Sequence, residues 1–400
     1  MDPAGASSAS PSGGQQAQDW TRIPAQQLVQ HQSVIQIDSE LPIEEACEVL
    51  IKAGISSAPI YDAKARAYIG MFDYRDLITY LLIVIKQMAV PTSQQTLEVK
   101  TLIRKAAQMQ QVPVRFAADL STQNPFYSIV PETTLSHVVA IFGYGTHRMA
   151  VVDEQSGAID GILSQSTVIH FLSQHLAQFP TLQTLAAKTL QELQLAESTV
   201  FTVNASSRVM DAMKAMVDYG VTSLAVVDSD DNAGLLGNIS LTDIKYIMKH
   251  RNHAFLWKSC MELIQFVHLE QGAQDGQDKA TVFCVSPSTT LARAMALLAA
   301  THAHRLWVTT SATNTSGASV VGSPSTISVV ANPPHPSVSP VKHGLAHRKP
   351  SATLHTSPPR TASGATPNVT ANMPSPLTTS GRVVGIISLT DVLRALTPTD

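Results

Sequence analysis

Several kinds of residue are scarce in this 400-residue chain, and each scarcity excludes something. Its three cysteines, Cys47, Cys260 and Cys284, are odd in number and far apart. That leaves no disulfide framework and no zinc spacing, and it suits reduced, buried, inert thiols in a cytosolic or nuclear setting. Charged residues make up only 14%, with 27 basic against 30 acidic for a net charge of -3. No global field therefore favours nucleic acid or an anionic membrane. The longest apolar run, Leu77 to Val90, is too short to span a bilayer and contains Lys86, and the N-terminus has no apolar signal core. Paired carboxylates at acid/base spacing, a nucleophile beside a placed base, a GxxxxGK[ST] loop and a metal-ligand cluster are all missing, so no turnover is expected. The expectation is a non-enzymatic protein of the cytoplasm and nucleus.

What the chain does have is a repeat. Leu236-Gly237-Asn238-Ile239-Ser240-Leu241-Thr242-Asp243 returns almost unchanged as Val384-Gly385-Ile386-Ile387-Ser388-Leu389-Thr390-Asp391. A looser copy is Ile69 to Asp76, and a degenerate one is Asp160 to Thr167. With 44% apolar residues and a mean hydropathy of +0.07, the chain can build packed cores, and the recurrence divides it into four similar units.

Around each copy the pattern reads strand, helix, strand, strand, helix. In the first unit these are Val34–Ile37, Ile43–Lys52, Ser57–Tyr61, Tyr68–Phe72 and Tyr74–Ile85. The predicted fold class is α+β, with four β-α-β-β-α repeats at residues 25–90, 120–178, 199–251 and 280–310 plus 381–397. Residues 181–198, free of Gly and Pro, are predicted to be a helical connector between two halves. Residues 1–18 form a tail too poor in apolar periodicity to order. Residues 311–380 are rich in Ser, Thr, Pro, Ala and Gly and contain no Asp or Glu; they are predicted to be a disordered insertion in a hairpin loop of the fourth unit. Within the insertion, Ser323, Ser339, Ser351, Ser357, Thr366 and Ser375 stand next to proline or a basic run and are candidate phosphoacceptors.

Registering the units shows an alternation at the start of the middle strand. Odd units have Ser56-Ser57 and Thr222-Ser223, whereas even units have His147-Arg148 and His304-Arg305. Two His-Arg pairs brought together by pseudo-symmetry would supply donors for phosphate oxygens, with arginine giving a bidentate fork. Opposite them, the Ser-x-x-Asp turns offer Ser240, Thr242, Asp243, Ser388, Thr390 and Asp391, with Asp76 as a variant, to accept from ribose hydroxyls. The competing role for these carboxylates is helix capping, since Ser followed by Asp three residues later resembles a capping box.

These turns resemble the hallmark of CBS repeats, which pair into Bateman modules. The segments Thr146-His147-Arg148-Met149, Ala303-His304-Arg305-Leu306 and Gly70 to Asp76 are similar to the γ subunit of AMP-activated protein kinase, and the Ser/Pro-rich insertion in the last repeat is similar to fungal regulators of the Sds/Moc type. The resemblance implies two Bateman modules in a pseudo-symmetric disc and AMP, ADP or ATP as a regulatory ligand near its centre. It further implies a protein phosphatase (type 2A-like) or protein kinase partner, and a role in stress and nutrient response and in the cell cycle. A γ subunit of the kinase heterotrimer and a scaffold with vestigial sites are the alternatives. Where the γ subunit carries basic residues directed at phosphates, this chain has Ser56 and Ser166, and Thr167 replaces a ribose-binding carboxylate, so that site is expected to stay empty.

Overall fold

In a computed structural model the described residues are 19–30, 32–90, 97–108, 110–228, 234–275, 282–311 and 381–397. The tail at 1–18, residues 312–380 of the insertion and its six candidate phosphoacceptors lie outside them, whereas Ser311, expected in the insertion, ends a strand. Four β-α-β-β-α units follow one another. The first is β1 (Ile37–Asp38), α2 (Ile43–Ala53), β2 (Ser57–Asp62), β3 (Ala67–Asp73) and α3 (Tyr74–Val84), preceded by α1 (Gln26–Val29) and followed by α4 (Leu97–Ala107). The second is β4 (Ser128–Ile129), α5 (Leu135–Gly143), β5 (Arg148–Val152), β6 (Ile159–Ser164) and α6 (Gln165–Gln174), followed by α7 (Pro180–Ala186). The third is β7 (Thr202–Asn204), α8 (Val209–Asp218), β8 (Ser223–Val227), β9 (Leu235–Ser240) and α9 (Ile244–Lys249), followed by α10 (Cys260–Asp275). The fourth is β10 (Cys284–Val285), α11 (Leu291–Thr301), β11 (Arg305–Ser311), β12 (Gly381–Ser388) and α12 (Leu389–Leu396).

In every unit the first strand runs parallel to the second, and the second pairs antiparallel with the third, giving four small sheets. The helices start and stop where their residues demand. Pro42 precedes α2, Glu44 and Glu45 complement its first turn, Lys52 complements its last, and Gly54 closes it in the left-handed region at φ 66°. In α12 the spacing of Leu389, Val392, Leu393 and Leu396 puts all four on one buried face.

The helices join units that are not adjacent in sequence. One core combines α2 and α3 of the first unit with α8 and α9 of the third; the other combines α5 and α6 of the second with α11 and α12 of the fourth. Cys47 and Cys260 are buried in the first core, and burial pushes both thiols up to about 12. Cys284 is only half-buried, which corrects the expectation of three buried thiols: it lies beside the packing between the third and fourth sheets.

The glycine of the repeated motif has a structural reason that recurs four times. Gly70, Gly161, Gly237 and Gly385 pair with Ile60, Val151, Val226 and Val308, and a register shift follows immediately in each hairpin. At each of them another segment lies flush on the strand. A Cβ would come within 2.8 Å of Asp119 at Gly70, 2.5 Å of Val29 at Gly161 and 2.6 Å of Ile264 at Gly237, and at Gly385 it would run into the Ala196 carbonyl oxygen. Glycine is needed for close approach, not for φ.

The predicted helical connector over 181–198 is corrected. Only Pro180–Ala186 is helical; beyond it Thr189 and Glu192 bond each other's backbone and side chains in a local turn that competes with the helix, and Gln194 takes φ 57°. The chain then crosses β12, where the Ser198 hydroxyl donates to the Ile386 carbonyl at 2.9 Å. Beyond the shift after Val308 the strands β11 and β12 stay paired out to Ser311 and Gly381, the two residues that flank 312–380. Gly385→Ala, which meets backbone, should cost about 1–3 kcal/mol. Gly237→Ala, which meets only the end of the Ile264 side chain, should cost less. Urea midpoints compare the two, and equal midpoints would contradict the reason given for the glycine.

Candidate functional site

The four units enclose a central cavity of about 1040 Å³. His147, at the end of the loop after α5, and Arg148, the first residue of β5, lie on its wall, as do their equivalents His304 and Arg305 at the start of β11. The Arg148 guanidinium donates to the Ser56 hydroxyl, and the Arg305 guanidinium donates to the Thr222 hydroxyl. Positions 56 and 222 are equivalent, so the same clasp joins unit one to two and unit three to four. Together with the helical cores, which join one to three and two to four, it closes the units into a ring.

Burial lowers the pKa of both arginines, that of Arg305 to about 10, where the nearby Arg75 charge also acts and Asp391 and Asp243 oppose it. His147 is half-buried and His304 is exposed, and both line the cavity. Desolvation together with Arg148 holds His147 down to about 4, and desolvation with Arg148, Arg305 and Lys245 does the same for His304. At neutral pH both are therefore uncharged.

Of the motif residues, Ser240, Thr242, Ser388, Thr390 and Asp391 line the cavity, and Asp76 and Asp243 do not. Capping explains the difference. Asp243 accepts from the Ser240 amide at 2.7 Å, and its enclosed carboxyl is pushed up by desolvation. Asp76 is 1% exposed, and its two oxygens accept from the amides of Asp73 at 3.1 Å and Ser121 at 2.8 Å. Desolvation and the neighbouring Asp73 raise its pKa strongly. The placement expected of Asp76 and Asp243 is thus corrected: the three-residue spacing from the capping residues Asp73 and Ser240 turns both carboxylates back onto the helix start. Asp391 caps as well, accepting from the Ser388 amide at 2.9 Å and hydroxyl at 2.6 Å, yet it remains on the wall. In the second unit the Thr167 hydroxyl is taken up by Ser164 at 2.8 Å.

Three wall residues escape a reading of the motif alone. Arg75, buried inside the Asp-Tyr-Arg-Asp turn, donates to the carbonyls of Met216 at 3.5 Å, Gly220 at 3.4 Å and Val221 at 3.1 Å, placing a cation at the C-terminal end of α8 in another unit. Gln165 donates to the Thr146 carbonyl at 2.8 Å and to the Thr390 hydroxyl at 2.9 Å, joining the second unit to the fourth. Asn124, from the segment after the first unit, donates to Asp73 at 2.8 Å and seals that turn. The available signal was the register itself, which sets a lone arginine at 75 where the other units have Ser166, Thr242 and Thr390.

Four such units around a shared cavity define a CBS-domain protein, and residues 28–83, 117–174 and 193–250 match the CBS domain. The fourth unit is outside that match, but its strands and helices repeat the pattern. The chain belongs to the SDS23/SDS24 family. It is 31% identical to protein SDS23 of Vanderwaltozyma polyspora over 95% of this chain and 69% of that protein, and 30% identical to protein SDS24 of Saccharomyces cerevisiae over 95% and 76%. With protein SDS23 of Candida albicans it shares 30% identity over 94% of this chain and 64% of that protein, so it spans about two thirds of that relative's length. The fold is that of a Methanocaldococcus jannaschii protein proposed as an archaeal homologue of g-AMPK, at a TM-score of 0.57 and 12% identity over 94% of this chain and all of that one.

The histidines give the cavity a pH signature. Their pKa values are about 4 in the fold against 6.5 outside it, so below pH 6.5 the unfolded chain binds more protons and stability falls as pH drops toward 4. Between pH 7.5 and 5 the wild type should therefore lose more urea stability than a His147→Gln/His304→Gln double variant. Equal losses would show that the imidazoles are not held neutral.

Proposed function

We propose that this regulatory CBS protein is not an enzyme and that it binds one adenine nucleotide (AMP, ADP or ATP) in the central cavity, presenting the bound and unbound states to a protein partner. The observation that supports this most is the convergence of Arg148 and Arg305, with His147 and His304, on the wall that also carries Ser388, Thr390 and Asp391. Phosphate oxygens are stronger acceptors for a guanidinium than the hydroxyls of Ser56 and Thr222, because they carry negative charge and can take both N–H groups of the fork at once. An arriving nucleotide would therefore draw both arginines away from the clasp that joins neighbouring units. Asp391 would take the ribose hydroxyls. Weakening the clasp gives occupancy a route to the outer surface, where the partner, a type 2A-like phosphatase or a kinase subunit, would read it.

A second reading is favoured by one specific feature: the clasp already satisfies both arginines, as a scaffold with vestigial sites would need. Calorimetric titration of the full chain with AMP, ADP and ATP separates the two. The nucleotide reading expects one site of micromolar affinity, weakened at least tenfold in an Arg148→Ala/Arg305→Ala double variant. No heat at millimolar nucleotide from a folded chain would leave the scaffold.

A further inference from the structure

The cavity is not equally deep on all sides. In each hairpin four residues of the second and third strands form a square on one sheet face. In the first unit these are Ser57, Pro59, Met71 and Asp73, and in the second Arg148, Ala150, Ile162 and Ser164. In the third they are Ser223, Ala225, Asn238 and Ser240, and in the fourth Arg305, Trp307, Ile386 and Ser388. The inner pair of the square reaches the cavity only in the last two units, through Asn238, Trp307 and Ile386. The cavity therefore enters between the third and fourth sheets and not between the first and second.

The two faces bordering that inlet differ. The fourth unit fills its inner positions with Trp307, 2% exposed, and Ile386; Trp307 packs in one buried cluster with Ala225. The third unit has small Ala225 beside an amide. The Asn238 Oδ1 atom is buried without a hydrogen-bond partner, and so is the hydroxyl of Ser223, which is 3% exposed. Buried polar atoms are nearly always paired, so two orphans on adjacent strands of one cavity wall point to a missing polar partner. The Ser57 hydroxyl, the counterpart of Ser223 in the first unit, is likewise buried without a partner, so what sets the third unit apart is the orphan at Asn238, a position held by Met71, Ile162 and Ile386 in the other units.

We propose that Asn238, supported by Ser223, is the base-reading end of the cavity, a subsite for one purine with adjacent donor and acceptor atoms on its edge, as in 6-aminopurine. This rests on the nucleotide reading above and adds to it the residue that selects the base. A carboxamide matches such an edge with two hydrogen bonds, its oxygen accepting from the amine and its nitrogen donating to the ring nitrogen. The soft χ2 torsion of asparagine lets both atoms turn to the ligand. Trp307, packed against Ala225, fills the inner position of the fourth unit, which limits the inlet to one base.

The test titrates the full chain with ATP and with purine riboside triphosphate, which has the same ribose and phosphates but no 6-amino group. Wild type should bind ATP about tenfold more tightly, and Asn238→Ile, which copies the residue at 386, should erase the difference by weakening ATP alone. Asn238→Ser repeats the comparison should the isoleucine variant misfold. Equal binding of the two nucleotides by wild type, or a difference that persists in the variants, overturns the assignment of Asn238 and leaves the cavity reading in place. Binding of neither nucleotide to a chain with a cooperative melt overturns both.

Discussion

Four units are held in a ring by two desolvated guanidinium groups that use hydroxyls as acceptors where carboxylates would be the usual choice. Arg148 reaches Ser56 and Arg305 reaches Thr222, each across a boundary between consecutive units. A carboxylate at either position would neutralise the arginine and lock it; a hydroxyl satisfies one N–H and leaves the positive charge facing the cavity. Arg75 follows a similar rule with carbonyl acceptors at the end of α8. Among the described residues the wall consequently carries Arg75, Arg148, Arg305, Lys245 and Lys249 against the carboxylates of Asp73 and Asp391. The remaining acids of the repeated motif, Asp76 and Asp243, are turned away into capping, from where they offset that charge only in part.

The same constraint accounts for the neutral histidines. Desolvation, with the Arg148 charge beside them, disfavours the protonated imidazoles, which keeps His147 and His304 as neutral donors or acceptors at physiological pH. An anion between the arginines would reverse that balance, so ligand and proton uptake are linked through the same four side chains. The packing of the helices across the ring, first unit on third and second on fourth, means that a shift at either clasp is felt by both cores.

Much of this was legible in the sequence. The four variants of Gly-x-apolar-Ser-x-x-Asp, two of them complete, and their strand-helix patterning set the units, and the alternation of Ser56-Ser57 and Thr222-Ser223 with His147-Arg148 and His304-Arg305 set the cationic wall. Local pattern could not reveal which units share cores, because α3 meets α8 across more than a hundred residues of chain and apolar stripes do not name their partners. Nor could it separate capping from ligand contact at Asp76, Asp243 and Asp391, since both uses require the same three-residue spacing; only the backbone placement sends Asp391 alone to the wall. The helix expected over 181–198 ended at Ala186 because Thr189 and Glu192 offered the backbone a closer set of bonds. The close approach behind each motif glycine depends on segments far away in sequence, such as Ala196 on Gly385.

The cavity as a nucleotide site is tested most directly by a crystal structure of the full chain grown with ATP. The arrangement described here predicts one nucleotide, its phosphates against Arg148 and Arg305, with the Ser56 and Thr222 hydroxyls released. A cavity without nucleotide at saturating ATP, or a nucleotide bound outside it with both clasps intact, would contradict it.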